Sequence, residues 1–405
     1  MSTSATTSVQ SPAAPHRSPF ISWLAVISVT LGLFAIVTTE ILPIGLLTSI
    51  GSSFAISDGM AGLMMVMPGL LAAVSAPVVT VATGRIDRRV MLGVFVLLLA
   101  LANLLAAVAS SYWLILIARV LVGITIGGFW SIGAGLAGQL IPAESTDRAT
   151  SVIFSSVPLG SVIGVPLGTF IGDLVGWRAA FLVMGAFTLA VLVLLLAVVP
   201  PLPSGQATTI DALGGMLRSV NTRFALVATF LVVLAHFGLY TYVTPFLEQV
   251  THVRPGLITI YLLIYGVVGI IGNFLGGSMV GRYPRSTFAT AAALIGAAAL
   301  LLPVLGRSDT GAVALLVVWG LAYGAVPVCS QTWFSKAGPD SPEASSVLFT
   351  ASFQATISIG ALVGGTVLDH SSPSTLMVLG GLTAAVMVLV AWTHWAKRYA
   401  WPKSS

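Results

Sequence analysis

Glu40 stands in "LGLFAIVTTEILPIGLL" (31–47), an apolar run that holds no other ionisable group. Arg119 stands in "LILIARVLVGITIGG" (114–128) and His236 in "VVLAHFGLY" (232–240), both equally apolar. Burial favours the neutral form of an acid, whereas a nearby guanidinium favours its charged form. An acid and an arginine whose separation changes can therefore take up and release a proton. Imidazole titrates near neutral pH and can carry a proton or bind a solute. Each chemistry has a structural counterpart. Glu40 and Arg119 could form a static pair that locks two helices, and His236 could be a neutral ring hydrogen-bonded to its neighbour. The residues alone leave both alternatives open.

Neutral polar residues occur in the same kind of surroundings: Asn103, Gln139, Asn273, Gln331 and Gln354. Such groups commonly join helices at about 0.6 kcal/mol each. Gln354 is the best candidate among them for contact with a solute, because it lies at mid-depth of its span. Phe34, Phe129, Trp130, Tyr240 and Tyr242 could line an aromatic cavity, although packing is the ordinary role of any one of them.

The elements that must position these residues follow from composition. Of 405 residues, 57% are hydrophobic and 7% charged, against about 25% charged in a soluble domain. Such a chain belongs in a bilayer. Twelve stretches lack Asp, Glu, Lys and Arg: 20–39, 59–84, 90–118, 120–143, 149–172, 179–210, 224–247, 255–281, 286–306, 310–335, 344–368 and 371–396. Each is near or above the roughly 20 residues that a helix needs to span hydrocarbon, and none shows the ten-residue alternation of a membrane barrel. The expected class is an all-α integral membrane protein of twelve transmembrane helices. Residues 1–19 read as a polar, disordered cytoplasmic tail, 20–200 as a first bundle, 201–222 as a cytoplasmic linker, 223–397 as a second bundle and 398–405 as a tail. With an inner N-terminus, thirteen of the 17 Lys and Arg residues fall on the inner side and three on the outer. The positive-inside rule then places both termini in the cytoplasm.

The two halves repeat. "GRIDRR" (84–89) matches "GRYPRS" (281–286), and "SVIFSSVPLGSVIGVPLGTFIGD" (151–173) matches "SVLFTASFQATISIGALVGGTVLD" (346–369). Pro43 matches Pro245, which sets Tyr242 opposite Glu40, so the second half lacks the acid. Parallel repeats suggest two six-helix bundles that rock about a central site. Within this plan Glu40 and Arg119 both lie roughly 10–12 Å below the outer surface. An ionisable residue at such depth is a functional hypothesis by default. Gly160, Gly164, Gly168 and Gly172 recur every four residues around Pro166, which makes a flat stripe for close helix contact.

Together these residues resemble the major facilitator superfamily, specifically its drug:proton antiporter branch. "LGSVIGVPLGTFIGD" (159–173) is similar to that branch's helix-5 glycine–proline signature, with Val165 and Thr169 standing where glycine is usual. "ARVLVGITIGGFWS" (118–131) is similar to its helix-4 motif, whose arginine would be Arg119. "TTEILPIGLL" (38–47) and "GVPLGTFIGDLVGWR" (164–178) resemble bacterial sugar, arabinose and purine-nucleoside efflux permeases. The loop after helix 2 departs from the pattern, with Gly84 where Asp is usual and Asp87 where Gly is usual. The resemblance implies alternating access and export of a small organic solute (sugar, nucleoside or drug) by proton antiport. A proton-coupled importer is the nearest alternative, and a membrane sensor or enzyme a distant one, since no phosphate-binding loop, HExxH or nucleophile elbow is present.

The expected proton-coupling residues are Glu40, Arg119 and His236. The expected solute contacts are Phe34, Asn103, Trp130, Tyr242 and Gln354. Conformational change is assigned to Arg85, Asp87, Arg88, Arg89, Gly160, Gly164, Pro166 and Gly168. No metal, cofactor, enzymatic activity or nucleic-acid partner is expected. The expected partners are solute, protons and lipid, and the expected setting is a monomer in the bacterial inner membrane.

Overall fold

An apolar helix in lipid must satisfy its own backbone and end where a residue can cap it. The computed structural model describes residues 18–83, 86–133, 136–202, 210–338 and 342–392. Among these described residues, twelve helices are long and apolar enough to cross a membrane. They are α1 (Pro19–Phe54), α2 (Leu63–Ala82), α3 (Arg88–Ala107), α4 (Tyr112–Gly133), α5 (Thr146–Val175) and α6 (Trp177–Val198). The second six are α7 (Val220–Tyr240), α8 (Pro255–Val280), α9 (Pro284–Leu305), α10 (Asp309–Ala337), α11 (Pro342–His370) and α12 (Pro373–Trp392). No strand occurs among the described residues. Ser18 caps α1 ahead of Pro19, Asp87 caps α3 and Ser308 caps α10. Proline at the first helical position and a hydroxyl or carboxylate just before it are the expected start signals.

The halves share one packing scheme. In the first, α1 packs on α5, α2 on α4, and α3 on α4 and α6; in the second, α7 packs on α11, α8 on α10, and α9 on α10 and α12. Between the bundles, α2 meets α11 and α5 meets α8, contacts related by the same half-to-half correspondence. Large apolar side chains such as Phe274, Trp113 and Leu389 are exposed on the outside, where a bilayer is the solvent that accepts them.

The glycine stripe explains the tightest of these contacts. A side chain at Gly160, Gly164 or Gly168 would come within 2.9 Å of Val37, Ile41 or Leu42 on α1. From the other face, a Cβ at Gly45 would lie 2.7 Å from the Val165 carbonyl. The two backbones approach because small residues meet on both sides.

The linker expected over 201–222 contains a short helix, Ile210–Arg218, and α7 already begins at Val220. The tails expected at 1–19 and 398–405 lie outside the described residues, apart from Ser18 and Pro19 at the start of α1.

Candidate functional site

Pro43 is the local cause of the site. α1 runs unbroken through it, yet proline has no amide hydrogen, so the carbonyl four residues earlier loses its helical partner. That carbonyl belongs to Thr39. Arg119, on α4, fills the vacancy: its Nη1 donates to the Thr39 oxygen at 2.7 Å. The guanidinium also lies over the Phe181 ring at 5.2 Å, and its Nε has no hydrogen-bond partner among the described residues. Asn103, on α3, donates to the Thr39 hydroxyl at 3.0 Å. The middle of α1 is thus held to α3 and α4 through a single residue. Pro245, the counterpart of Pro43, likewise has no amide hydrogen to offer the Thr241 carbonyl, which here lies in a turn. No charged residue lies between Asp309 and Lys336 on α10, the counterpart of α4. There α7 stops at Tyr240, and the chain resumes as Val243–Phe246 and a π-helical turn, Leu247–Thr251.

Glu40 follows Thr39 and is 8% exposed. Arg119, in its own bundle, acts on it electrostatically, and Gln354 on α11 lies within hydrogen-bonding reach from the other bundle. The carboxylate therefore sits at the junction of the two halves. Among the described residues Glu40 is the buried carboxylic acid and Arg119 the buried Lys or Arg side chain.

The second bundle faces this junction with aromatic rings. His236 is buried, and its Nδ1 accepts the indole N–H of Trp319 at 3.0 Å. An indole only donates, so Nδ1 is the lone-pair nitrogen and the ring proton resides on Nε2. Tyr323 stacks on His236, Tyr240 stacks on Tyr265 at 4.6 Å, and Trp319 meets both His236 and Tyr265 edge-on. Tyr323 lies within electrostatic reach of Glu40.

The end of the molecule opposite the start of α1 is closed by hydrogen bonds between the bundles. Asp369 of α11 accepts from the Ser57 hydroxyl at 2.7 Å and the Gly59 amide at 2.9 Å, just ahead of α2. Thr48 donates to Glu248, Gln249 to Asp58, Thr244 to the Ile44 carbonyl and Thr259 to Thr169. Nearest the centre, Ser358 donates to the Val66 carbonyl. Burial, followed by the nearby Asp58 and Asp173 carboxylates, holds Glu248 above the usual carboxylate range against the lowering effect of the Thr48 hydroxyl.

Glu40, Arg119, Asn103 and Gln354 thus come together. His236 joins them at one remove, through Tyr323. Tyr242 sits towards the closed end, its hydroxyl donating to the Ala361 carbonyl at 2.6 Å. Phe34 turns to α6 and meets Phe187 edge-on, and Trp130 packs on Phe154 of α5. Asp87 accepts from the Leu202 amide at the start of the linker, and Arg89 donates to the Leu196 carbonyl of α6, so neither side chain reaches the second bundle through these bonds. The Arg88 amide donates to the Leu202 carbonyl. Arg85 lies outside the described residues. Pro166 is buried inside α5. Among the described residues no cluster of three or more His, Cys, Asp or Glu could hold a metal ion. Sequence reasoning passed over Thr39, which acts through its carbonyl, and Tyr265, Trp319 and Tyr323, which look like ordinary aromatic packing.

A family model described as Major Facilitator Superfamily matches residues 29–347. The chain is 31% identical to the "Transcription regulatory protein OpdE" of Pseudomonas aeruginosa, over 91% of this chain and 92% of that one. It is 30% identical to the "Purine ribonucleoside efflux pump NepI" of Salmonella typhimurium, over 91% of this chain and 94% of that one. Among solved structures, a bacterial homolog of the human lysosomal transporter Spinster, in an inward-facing and occupied conformation, superposes with a TM-score of 0.78 at 16% identity, over 96% of this chain and 100% of that one. The human organic anion transporter MFSD10 (TETRAN) gives 0.68 at 16% identity, over 93% and 100%. At these identities the structural likeness concerns the fold.

Proposed function

Since the chain belongs to the Major Facilitator Superfamily, we propose that it exports a small organic solute in exchange for protons, with purine nucleosides as the first candidates. The observation that carries this reading is Glu40, a buried carboxylate whose neighbours belong to both bundles, Arg119 to its own and Gln354 to the other. Arg119 is fixed to α1 through the Thr39 carbonyl and moves with it. Gln354 moves with α11, so rocking of the bundles changes what surrounds the carboxylate. A solute arriving at Glu40 from the side on which α1 starts competes with a proton for the same group. Opening the other end lets the solute leave and a new proton arrive. Export of one species is thereby tied to entry of the other. The 30% identity to a relative named for purine ribonucleoside efflux, across most of both chains, supports the direction and the solute class. The excess of Lys and Arg on the side where α1 starts supports a cytoplasmic position for that side.

The test is uptake into proteoliposomes under an imposed pH gradient, with labelled inosine, arabinose and a cationic dye. Inosine should accumulate against the proton gradient in the exchange sense; movement with the protons would establish import. Glu40→Gln should still exchange inosine down its gradient but lose pH-driven accumulation. Full proton-driven accumulation by that variant would remove Glu40 from the mechanism. The absence of flux for every solute would favour a regulatory role, such as the one named for the Pseudomonas relative.

A further inference from the structure

Buried polar atoms without a protein partner are rare, and each one needs an explanation. Among the described residues Tyr265 Oη, Gln354 Oε1 and Arg119 Nε are such atoms, on side chains that are 6%, 6% and 1% exposed. All three belong to the junction of the bundles. Gln354 and Arg119 flank Glu40. Tyr265 belongs to the ring wall that reaches Glu40 through Tyr323, and it lies within electrostatic reach of Tyr323 itself. Its chain neighbour Gly266 approaches α5 so closely that a Cβ there would lie 2.9 Å from Val162 of the first bundle.

We infer that Tyr265 is a substrate-reading residue: its hydroxyl and the free amide oxygen of Gln354 hydrogen-bond a flat, ring-shaped solute with both donors and acceptors on its edge, set beside Glu40. The inference rests on the transport reading above and narrows it to purine nucleosides. A phenol can donate and accept, whereas an amide oxygen only accepts. A purine edge offers an N–H beside a ring nitrogen or carbonyl oxygen, which suits that pair. The base also has a π-face for the rings of the wall to stack on. A pentose carries hydroxyls but no such face, and a lipophilic cation carries the face but few acceptors. A site built to hydrogen-bond its ligand discriminates strongly against ligands that lack the matching group.

The experiment compares full-length wild type, Tyr265→Phe and Thr222→Val. Thr222 has an equally orphaned hydroxyl, but it lies at the start of α7, away from the junction. The readouts are equilibrium binding of labelled inosine, the KM and kcat of inosine exchange in proteoliposomes, and the thermal unfolding midpoint. In Tyr265→Phe, inosine Kd and KM should rise about five- to tenfold, as expected for one lost hydrogen bond. kcat should change less, and the midpoint should hold or rise because no protein contact is lost. Thr222→Val should leave Kd and KM unaltered. Equal inosine affinity in wild type and Tyr265→Phe overturns the inference and leaves nucleoside transport standing. An equal rise in both variants also overturns it, by showing a general effect of removing hydroxyls. If wild type binds no inosine, the nucleoside class fails and this inference fails with it.

Discussion

Glu40 replaces its lost water with Gln354 on one side and Arg119 on the other. Arg119 in turn spends its described hydrogen bond on the Thr39 carbonyl. When Glu40 is ionised, the two opposite charges act on each other through space, without a direct hydrogen bond between them among the described contacts. Removing one partner from a buried pair leaves an uncompensated charge, which commonly costs about 3–5 kcal/mol. Arg119→Met should therefore destabilise the protein more than Glu40→Gln/Arg119→Met does, with a coupling of about 1–3 kcal/mol in a double-mutant cycle on purified protein. Additive effects in that cycle would mean the charges do not interact. This centre was half legible in the sequence. Glu40, Arg119, Asn103 and Gln354 stand out because polar groups in hydrocarbon need a reason to be there. Thr39 contributes a carbonyl that every residue has, and Tyr265 and Tyr323 are of a type that spans use freely, so nothing in their identity marked them.

Helix α1 differs from its counterpart α7 in one respect that governs the site. Pro43 lies inside α1, whereas Pro245 lies beyond the end of α7 in the short helix Val243–Phe246, and only at Pro43 does an arginine receive the carbonyl four residues earlier. α1 stays helical to Phe54, whereas α7 ends at Tyr240. Pro43→Ala would restore the missing amide. Replacing a helix-interior proline ordinarily stabilises a helix by about 3 kcal/mol, yet here the new amide competes with Arg119 for Thr39. The expected result is an unchanged or raised thermal midpoint together with reduced pH-driven accumulation. A variant that is more stable and accumulates fully would show that the Arg119 contact is dispensable. The twelve spans and the half-to-half repeat were legible because length and hydrophobicity report directly on a bilayer, and the glycine stripe marked a face of α5 made for close contact, while its partner α1 is set by the packing. The break in α7 was not legible: matching Pro43 to Pro245 shows what the two halves share, while the difference lies in a third helix, α4 against α10.

At the scale of the whole molecule, the bundles are joined at the end opposite the start of α1 by contacts rich in carboxylates. Asp369 holds the approach to α2, and Glu248, on the π-helical turn, receives Thr48 of α1. The groups that face Glu248 are Thr48, Asp58 and Asp173, and Asp58 in turn feels Asp369. Burial is the main cause of the raised Glu248 pKa, and the two acids add to it. The sign follows from linkage. A carboxyl whose pKa is higher in the closed state than in an open, hydrated one binds its proton more tightly when closed. Closure is then fully favoured below the open-state value and weakens as pH rises through the closed-state value. The measurement uses Ser358→Cys, a buried position at the closed contact, with the native Cys329 replaced by serine. It follows labelling by a membrane-impermeant thiol reagent applied to that face. Thiolate reactivity itself rises with pH, so the informative quantity is the labelling ratio between this protein and the same protein carrying Glu248→Gln. Glutamine keeps an oxygen for the Thr48 hydroxyl and cannot ionise. The ratio should start near one in acid and climb as pH rises, because only the carboxylate form loosens the closed end. A ratio that stays flat would mean that Glu248 holds the bundles together without sensing protons, and proton dependence would then rest on Glu40 at the centre.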